Sequence, residues 1–208
     1  MLPVRKEGLP QIAISAGIGI ALVSSWIKEG GVGLLIGGIL FIVLAMFISF
    51  FFRDPEREAI CGPGEILAPS DGKVVDVEDG KISIFLSIFD VHVARAPVSG
   101  IIRKVERRDG GFSPAFSKKA SRFNRMMELT IDWEDGGCIR LRMIVGILAR
   151  RLICWVGEGE RVEAGQRIGM MVLGSRTELA FDGCRARVRV GDVVRGGMTI
   201  VASKEGLG

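Results

Sequence analysis

The chain has 208 residues, 25% charged and 48% hydrophobic, a balance that excludes intrinsic disorder and allows one or two folded domains. Its net charge of +4 suits an anionic membrane surface and is too small to indicate nucleic acid as a partner. One His and four scattered Cys (Cys61, Cys138, Cys154 and Cys184) exclude a His-rich or CxxC-type metal site, and the thiols read as reduced, mostly buried groups in a cytosol-facing domain.

Residues 9–27 are apolar but diluted by Pro10, Gln11, Ser15, Ser24, Ser25 and two glycines; a second span is the reading taken, against an interfacial or re-entrant segment. Residues 28–32 then form a tight turn. Residues 33–52 carry no charge and one polar side chain, Ser49. Twenty residues at ~1.5 Å each span the hydrocarbon core. Fourteen of them are Leu, Ile, Val or Phe, together worth about −4 to −8 kcal/mol on an insertion scale before the glycines are discounted. Arg5 and Lys6 precede the pair and Arg53 and Arg57 follow it, with only Lys28 between, which places both ends in the cytoplasm as a helical hairpin. A cleaved signal peptide fits poorly, because the stronger segment starts late and offers no small-residue cleavage site. Residues 1–52 are therefore read as a retained membrane anchor and 53–208 as a β-rich domain.

Beyond residue 53 the pattern becomes short β-branched runs punctuated by Gly, Pro and Asp. Strands are expected at 73–77, 82–86, 101–105, 127–132, 139–145, 153–156, 168–172, 187–190 and 199–202. A turn or two of helix is expected around 117–124. The chain repeats itself twice. Ala68-Pro69-x-x-Gly72-x-Val74-x-x-Val77 returns as Ala96-Pro97-x-x-Gly100-x-Ile102-x-x-Val105. Gly159-x-x-Val162-x-x-Gly165-x-x-Ile168 returns as Gly191-x-x-Val194-x-x-Gly197-x-x-Ile200. Similar glycine-valine turns occur in the flattened β-sandwiches of biotinyl and lipoyl carrier domains. The fold class is thus mainly β, a duplicated, intertwined sandwich or barrel-sandwich behind the hairpin.

Three features could carry chemistry. Asp90 and His92 lie two apart; on a strand they share a face, where a carboxylate can orient an imidazole, although such a pair is often purely structural. Ser70-Asp71-Gly72 places a second carboxylate in what is ordinarily a turn. Gly174-Ser175 follows a strand, and Gly-Ser permits backbone cleavage by its own hydroxyl, the Ser oxygen attacking the preceding carbonyl in an N-to-O acyl shift. Such a shift needs a base at the hydroxyl and donors at the oxyanion. Lys118, Lys119, Arg122 and Arg125 form a basic run interleaved with Phe116 and Phe123, either a solvated face or a lip that meets anionic lipid. Arg150-Arg151 and Arg103-Lys104 read as plain surface charge.

In combination and order these segments resemble the phosphatidylserine decarboxylase proenzymes, most closely a short bacterial and archaeal branch that includes archaetidylserine decarboxylases. The resembling segments are Phe51-Phe52-Arg53-Asp54-Pro55-Glu56-Arg57, Leu67-Ala68-Pro69-Ser70-Asp71-Gly72-Lys73-Val74, residues 85–100, Lys119-Ala120-Ser121-Arg122-Phe123-Asn124, residues 144–151 and Leu173-Gly174-Ser175-Arg176. The resemblance implies self-cleavage of the Gly174–Ser175 bond into a β chain of residues 1–174 and an α chain of residues 175–208 that stay together as a heterodimer or a higher oligomer. Ser175 would become a covalent pyruvoyl group that condenses with the serine amine of a phospholipid and drives loss of CO₂, with no metal and no pyridoxal phosphate. Asp71, Asp90 and His92 would serve cleavage and decarboxylation, and Lys119, Arg122, Asn124 and Arg95 the headgroup. It further implies a cytoplasmic-membrane enzyme of phospholipid biosynthesis, acting on the cytoplasmic face. Two departures stand out: Arg95 occupies the place of a second family His, and Arg176 that of a Thr; both are taken as features of the short branch. A carrier-type adaptor explains the anchor and turns but not Asp71, His92 and Gly174-Ser175 together. A peptidase using Ser175 lacks the G-x-S-x-G context.

Overall fold

The computed structural model describes residues 4–111, 124–146, 151–172 and 175–204. The chain divides into two compact units, Met1–Glu56 and Arg57–Gly208.

In the first unit a 3-10 turn (Lys6–Gly8) leads into α1 (Leu9–Glu29), and α2 (Val32–Phe51) returns after Gly30 and Gly31. Both helices are long and apolar enough to cross a membrane. The diluted first segment is thus one continuous helix of 21 residues, ~30 Å long. Small residues set the contact between them. A Cβ on Gly38 would lie 2.6 Å from Val23 Cγ2 and 3.1 Å from the Gly19 carbonyl oxygen, so glycine lets the two backbones approach. Ile14, Ile20, Val32 and Leu40 remain exposed on the outside of the pair. The two ends of the hairpin meet: Val4 bridges Arg53, and Arg5 N donates to Phe52 O at 2.9 Å.

The second unit is β throughout its described residues, as the punctuated β-branched runs predict. Its strands are β1 (Glu65–Leu67), β2 (Gly72–Glu78), β3 (Lys81–Leu86), β4 (Val93–Arg95), β5 (Gly100–Arg108), β6 (Met126–Trp133), β7 (Cys138–Val145), β8 (Leu152–Cys154), β9 (Arg161–Val162), β10 (Arg167–Met171), β11 (Ser175–Ala180), β12 (Cys184–Ala186), β13 (Val193–Val194) and β14 (Ile200–Lys204). Eight of them form a sheet curled into a half-barrel, in the order β13-β2-β3-β11-β7-β6-β5-β9; β1-β14-β12 and β4-β10-β8 form two small sheets. Alternation along the central strands turns Ile84, Leu86, Leu129, Leu141, Met143 and Leu179 to one face, where they are fully buried. Each such side chain contributes roughly 1.5–3 kcal/mol by leaving water.

The sequence repeats appear as matched hydrogen bonds. Gly159 N donates to Ile102 O at 2.8 Å and Ile102 N to Glu160 O at 2.9 Å; their counterparts are Gly191 N to Val74 O at 2.9 Å and Val74 N to Asp192 O at 2.8 Å. Gly165 N to Ala96 O and Gly197 N to Ala68 O, both 2.8 Å, form a second matched pair. The copies also exchange bonds, Leu67 N to Pro97 O at 2.9 Å and Arg95 N to Pro69 O at 2.8 Å, so the duplication is intertwined. The strand-opening glycines are required sterically. A Cβ on Gly72 would sit 2.2 Å from Phe85 O, and one on Gly100 would sit 2.0 Å from Asp132 O.

Several expectations need correction. Residues 187–190 are not a strand; β12 lies just before them, and Arg189 N is taken by Asp192 Oδ2 at 2.8 Å, which starts the turn at Gly191. The 153–156 strand shortens to β8. Strands β1, β4, β9, β11, β12 and β13 were not expected. β1, β4, β9, β12 and β13 are two or three residues long, below any periodicity, and β11 is polar. The four thiols are free but only partly buried. The helix expected around 117–124 falls on residues outside the described ones, apart from Asn124, which forms a bridge with Gly111.

Candidate active site

Ser175 opens β11, the strand between β3 and β7, and pairs with Leu86 on one side and Val145 on the other. Alternation puts Ser175, Thr177 and Leu179 on the core face. Thr177 Oγ1 finds a partner there, Ser70 Oγ at 2.8 Å. Ser175 is completely buried, and its Oγ has no hydrogen-bond partner among the described residues. A buried hydroxyl without a partner costs about 1–3 kcal/mol, so its retention calls for a reason other than packing. Gly174 lies outside the described residues.

His92 lies in the loop between β3 and β4 and is completely buried. Its Nδ1 stands 2.9 Å from the carbonyl oxygen of Asp90. A carbonyl only accepts, so Nδ1 carries the proton and the neutral ring keeps its lone pair on Nε2. The backbone brings this ring to the end of the sheet where Ser175 sits. Leu86, at the start of the loop, pairs with Ser175, while His92 O, at its end, accepts from Met171 N at 3.0 Å. The loop and the segment that carries the Gly-Ser bond are therefore tied together at both ends.

Asp90 departs from expectation. It is in a bend, not on a strand, and its carboxylate accepts from Ser87 N and Ser87 Oγ, both at 2.7 Å. It closes the turn that aims His92, and the imidazole is oriented by the Asp90 main chain. An Asp in a turn satisfies nearby backbone donors first, which is why the shared-face argument fails here.

Asp71 is held on both oxygens by Arg57, at 2.5 Å to Oδ1 and 2.8 Å to Oδ2, and Oδ1 also accepts from Gly196 N at 2.8 Å. Arg57 Nη1 donates to Gly196 O at 2.7 Å. In the other repeat, Ser99 Oγ accepts from Ala164 N at 3.0 Å, the same bond made without a charge. The carboxylate and its arginine are thus an addition to one half of a duplicated turn. Ser70, next to Asp71, joins this turn to β11 through Thr177.

Asn124 is buried, and its Nδ2 donates to Val145 O at 2.7 Å, which places it one strand from Ser175. Arg95 is buried elsewhere, with Nη1 donating to Gly165 O at 2.9 Å and its stem against Gly197. Lys119 and Arg122, with Lys118, Phe116 and Phe123, lie outside the described residues.

Sequence reasoning missed Arg57, the Ser70–Thr177 bond and a charged ladder on the far face of β11. There, buried Arg176 lies 3.3 Å from Glu178 and 4.0 Å from Asp76, Glu178 lies 4.0 Å from Arg142, and Arg142 also meets Glu128. The alternation Arg176-x-Glu178 opposite Arg140-x-Arg142 was the available signal. Two of the thiols are weakened as nucleophiles. Burial, reinforced by Glu65 and Asp135, pushes Cys61 up to about 11, and burial also raises Cys184.

Residues 77–202 match the phosphatidylserine decarboxylase family. The chain is 36% identical over 216 aligned positions to a phosphatidylserine decarboxylase proenzyme of Nitratidesulfovibrio vulgaris, an alignment spanning 98% of this chain and 95% of that one. It is 37% identical over 213 positions to proteins of the same description from Burkholderia vietnamiensis and Burkholderia multivorans, covering 97% of this chain and 96% of each relative.

Proposed function

The chain belongs to the phosphatidylserine decarboxylase family, and on that premise we propose that it cleaves itself at Gly174–Ser175 and then removes CO₂ from the serine headgroup of a phospholipid. The observation that carries this reading is the Ser175 hydroxyl, buried without a described partner on the segment tied to the His92 loop.

In the first reaction His92 Nε2 takes the proton from Ser175 Oγ as the oxygen attacks the Gly174 carbonyl carbon. The carbon–nitrogen bond breaks, the Ser175 nitrogen gains a proton, and the acyl group passes to oxygen. Loss of the Ser175 α-proton then expels the Gly174 carboxylate from the β-carbon, which separates the chains and leaves a dehydroalanine at 175; its imine tautomer takes up water and releases ammonia to give the ketone. Asp90 and Asp71 act as positioning groups. Asp90 closes the turn behind the imidazole, and Asp71 fixes the Gly196 turn that reaches β11 through Ser70. Asn124 fastens the Val145 carbonyl and so fixes the strand beside Ser175.

The residues present fit a pyruvoyl group made in place, because Ser175 Oγ makes no described hydrogen bond that its loss would break. A ketoacyl carbonyl at position 175 supplies the electron sink for decarboxylation. His92 then holds a proton at Nε2 for the carbon that loses CO₂. Residues 1–52 anchor the protein in the cytoplasmic membrane, with residues 53–208 on its cytoplasmic face, since Arg5, Lys6, Arg53 and Arg57 flank the hairpin. The two chains remain together as a heterodimer across the β3–β11–β7 pairing. The substrate is phosphatidylserine or its ether-linked counterpart archaetidylserine, which present the same headgroup to these residues.

The test is chemical. Hydroxylamine should abolish turnover in the wild-type protein by capturing its carbonyl, and Ser175→Ala should remain one inactive polypeptide. Full turnover in the presence of the trapping reagent sinks the proposal.

A further inference from the structure

A cavity of about 280 Å³ opens where β5 and β6 meet β8, lined by Arg107, Arg108, Asp109, Arg125, Arg151 and Leu152, with Met126 and Met127 behind. Four arginines and one aspartate are among its lining residues. Asp109 lies 3.0 Å from Arg125 Nε and is 90% exposed, while Arg107, Arg108 and Arg151 form no ion pair with any described residue. Three like charges gathered round one cavity repel each other unless an anion joins them.

The backbone links this cavity to the Gly-Ser segment. Val172 N donates to Arg151 O at 3.1 Å, three residues before Ser175. On the other side Ser175 pairs with Val145, whose N donates to Arg125 O at 3.2 Å. Arg125 is therefore two strand spacings, ~10 Å, from Ser175. Arg108 and Arg107 follow directly, paired with Met126 and Met127. Long arginine side chains and a headgroup of a few bonds together cover that distance.

We propose that Arg107, Arg108, Arg125 and Arg151 form the phosphate subsite, a pocket that takes the phosphodiester of the substrate headgroup and sets its serine end toward residue 175. Guanidinium forks match phosphate oxygens in pairs, and Met126, Met127 and Leu152 supply the apolar wall that suits the glycerol side. The assignment rests on the decarboxylase reading for its substrate, but the pocket's chemistry, phosphate recognition, can be measured without turnover.

The full chain in detergent micelles is titrated with glycerophosphoserine, the soluble headgroup, and separately with inorganic phosphate, observing the ³¹P line width. Wild-type protein should broaden the glycerophosphoserine signal at lower concentration than the inorganic phosphate signal, and R108Q/R151Q should lose the effect. The same variant should self-cleave yet show a KM for phosphatidylserine raised about tenfold or more, with a smaller fall in kcat. Raised salt should lower wild-type kcat/KM more steeply than that of the variant. R108Q and R151Q singly give the same readings at smaller amplitude should the double variant fail to fold. Equal broadening by both probes overturns the headgroup assignment in favour of free phosphate. No broadening in wild-type protein, or a self-cleaved variant with unchanged KM and line width, overturns the pocket itself. Absence of self-cleavage and turnover in wild-type protein defeats the decarboxylase reading instead, and leaves the ³¹P result to decide the pocket.

Discussion

Arg57 and Asp71 offer a quantitative test of why one half of the duplicated fold carries an ion pair. Their side chains are only 9% and 14% exposed, and the pair is bidentate with a third bond from Gly196 N. Removing one partner strands the other in a nearly dry turn, which costs about 3 kcal/mol. Asp71→Ser alone leaves Arg57 unpaired, and Arg57→Ala alone leaves Asp71 with the Gly196 bond only. The double variant Arg57→Ala/Asp71→Ser converts the site to the chemistry of the other repeat, where Ser99 Oγ holds Ala164 N without any charge. It should lose only the Arg57 bond to Gly196 O and the second carboxylate contact, about 1–2 kcal/mol. The coupling energy in a double-mutant cycle is then about 4–5 kcal/mol. All four proteins should carry Ser175→Ala so that cleavage does not change the chain being unfolded, and urea denaturation followed by circular dichroism supplies the free energies. Strict additivity of the two single losses would refute the idea that the pair is a self-contained insertion into a symmetric turn.

Three further outcomes follow from the same structure. Gly72→Ala and Gly100→Ala each drive a methyl to within 2.2 Å and 2.0 Å of a neighbouring strand carbonyl, so each should cost about 3 kcal/mol or more in thermal or urea unfolding. On the core face of β11, Thr177→Val leaves the Ser70 hydroxyl unpaired and should destabilise by about 1–3 kcal/mol, whereas Ser175→Ala removes a hydroxyl that has no described partner and should be neutral or stabilising against another uncleaved variant. Cys61, with its thiol pushed up to about 11, should have only about one part in a thousand as thiolate at pH 8 and react with iodoacetamide far more slowly than a free cysteine at that pH, gaining rate steeply up to pH 11; a rapid reaction at pH 8 would contradict the burial assigned to it.

Much of this fold is legible because two kinds of signal repeat. The Ala-Pro-x-x-Gly and Gly-x-x-Val-x-x-Gly patterns come in pairs, and the matched bonds at Ile102 and Val74 follow from them. The polar strand Ser175–Ala180 is illegible, since Arg176 and Glu178 are buried by pairing with each other and with Asp76 and Arg142 rather than by hydrophobicity. Ser175 and His92 are readable as reactive types, and the backbone does tie their segments together. Their partners are not readable. Ser70 and Thr177 are 107 residues apart, and Arg57 carries no hint that it ends on Asp71. Asp90 shows the limit of spacing arguments: two residues from His92, it serves Ser87 because a bend replaces the strand that the alternation suggested. The pairing of Arg151 with the Gly-Ser segment, through Val172, likewise turns a charge read as surface into the wall of a cavity.

The most direct measurement is the intact mass of the purified full-length protein after denaturation. Two polypeptides are expected, one ending at Gly174 and one of residues 175–208 whose first residue has lost its amine and blocks Edman sequencing. A single uncleaved chain that nonetheless releases CO₂ from phosphatidylserine would contradict the account.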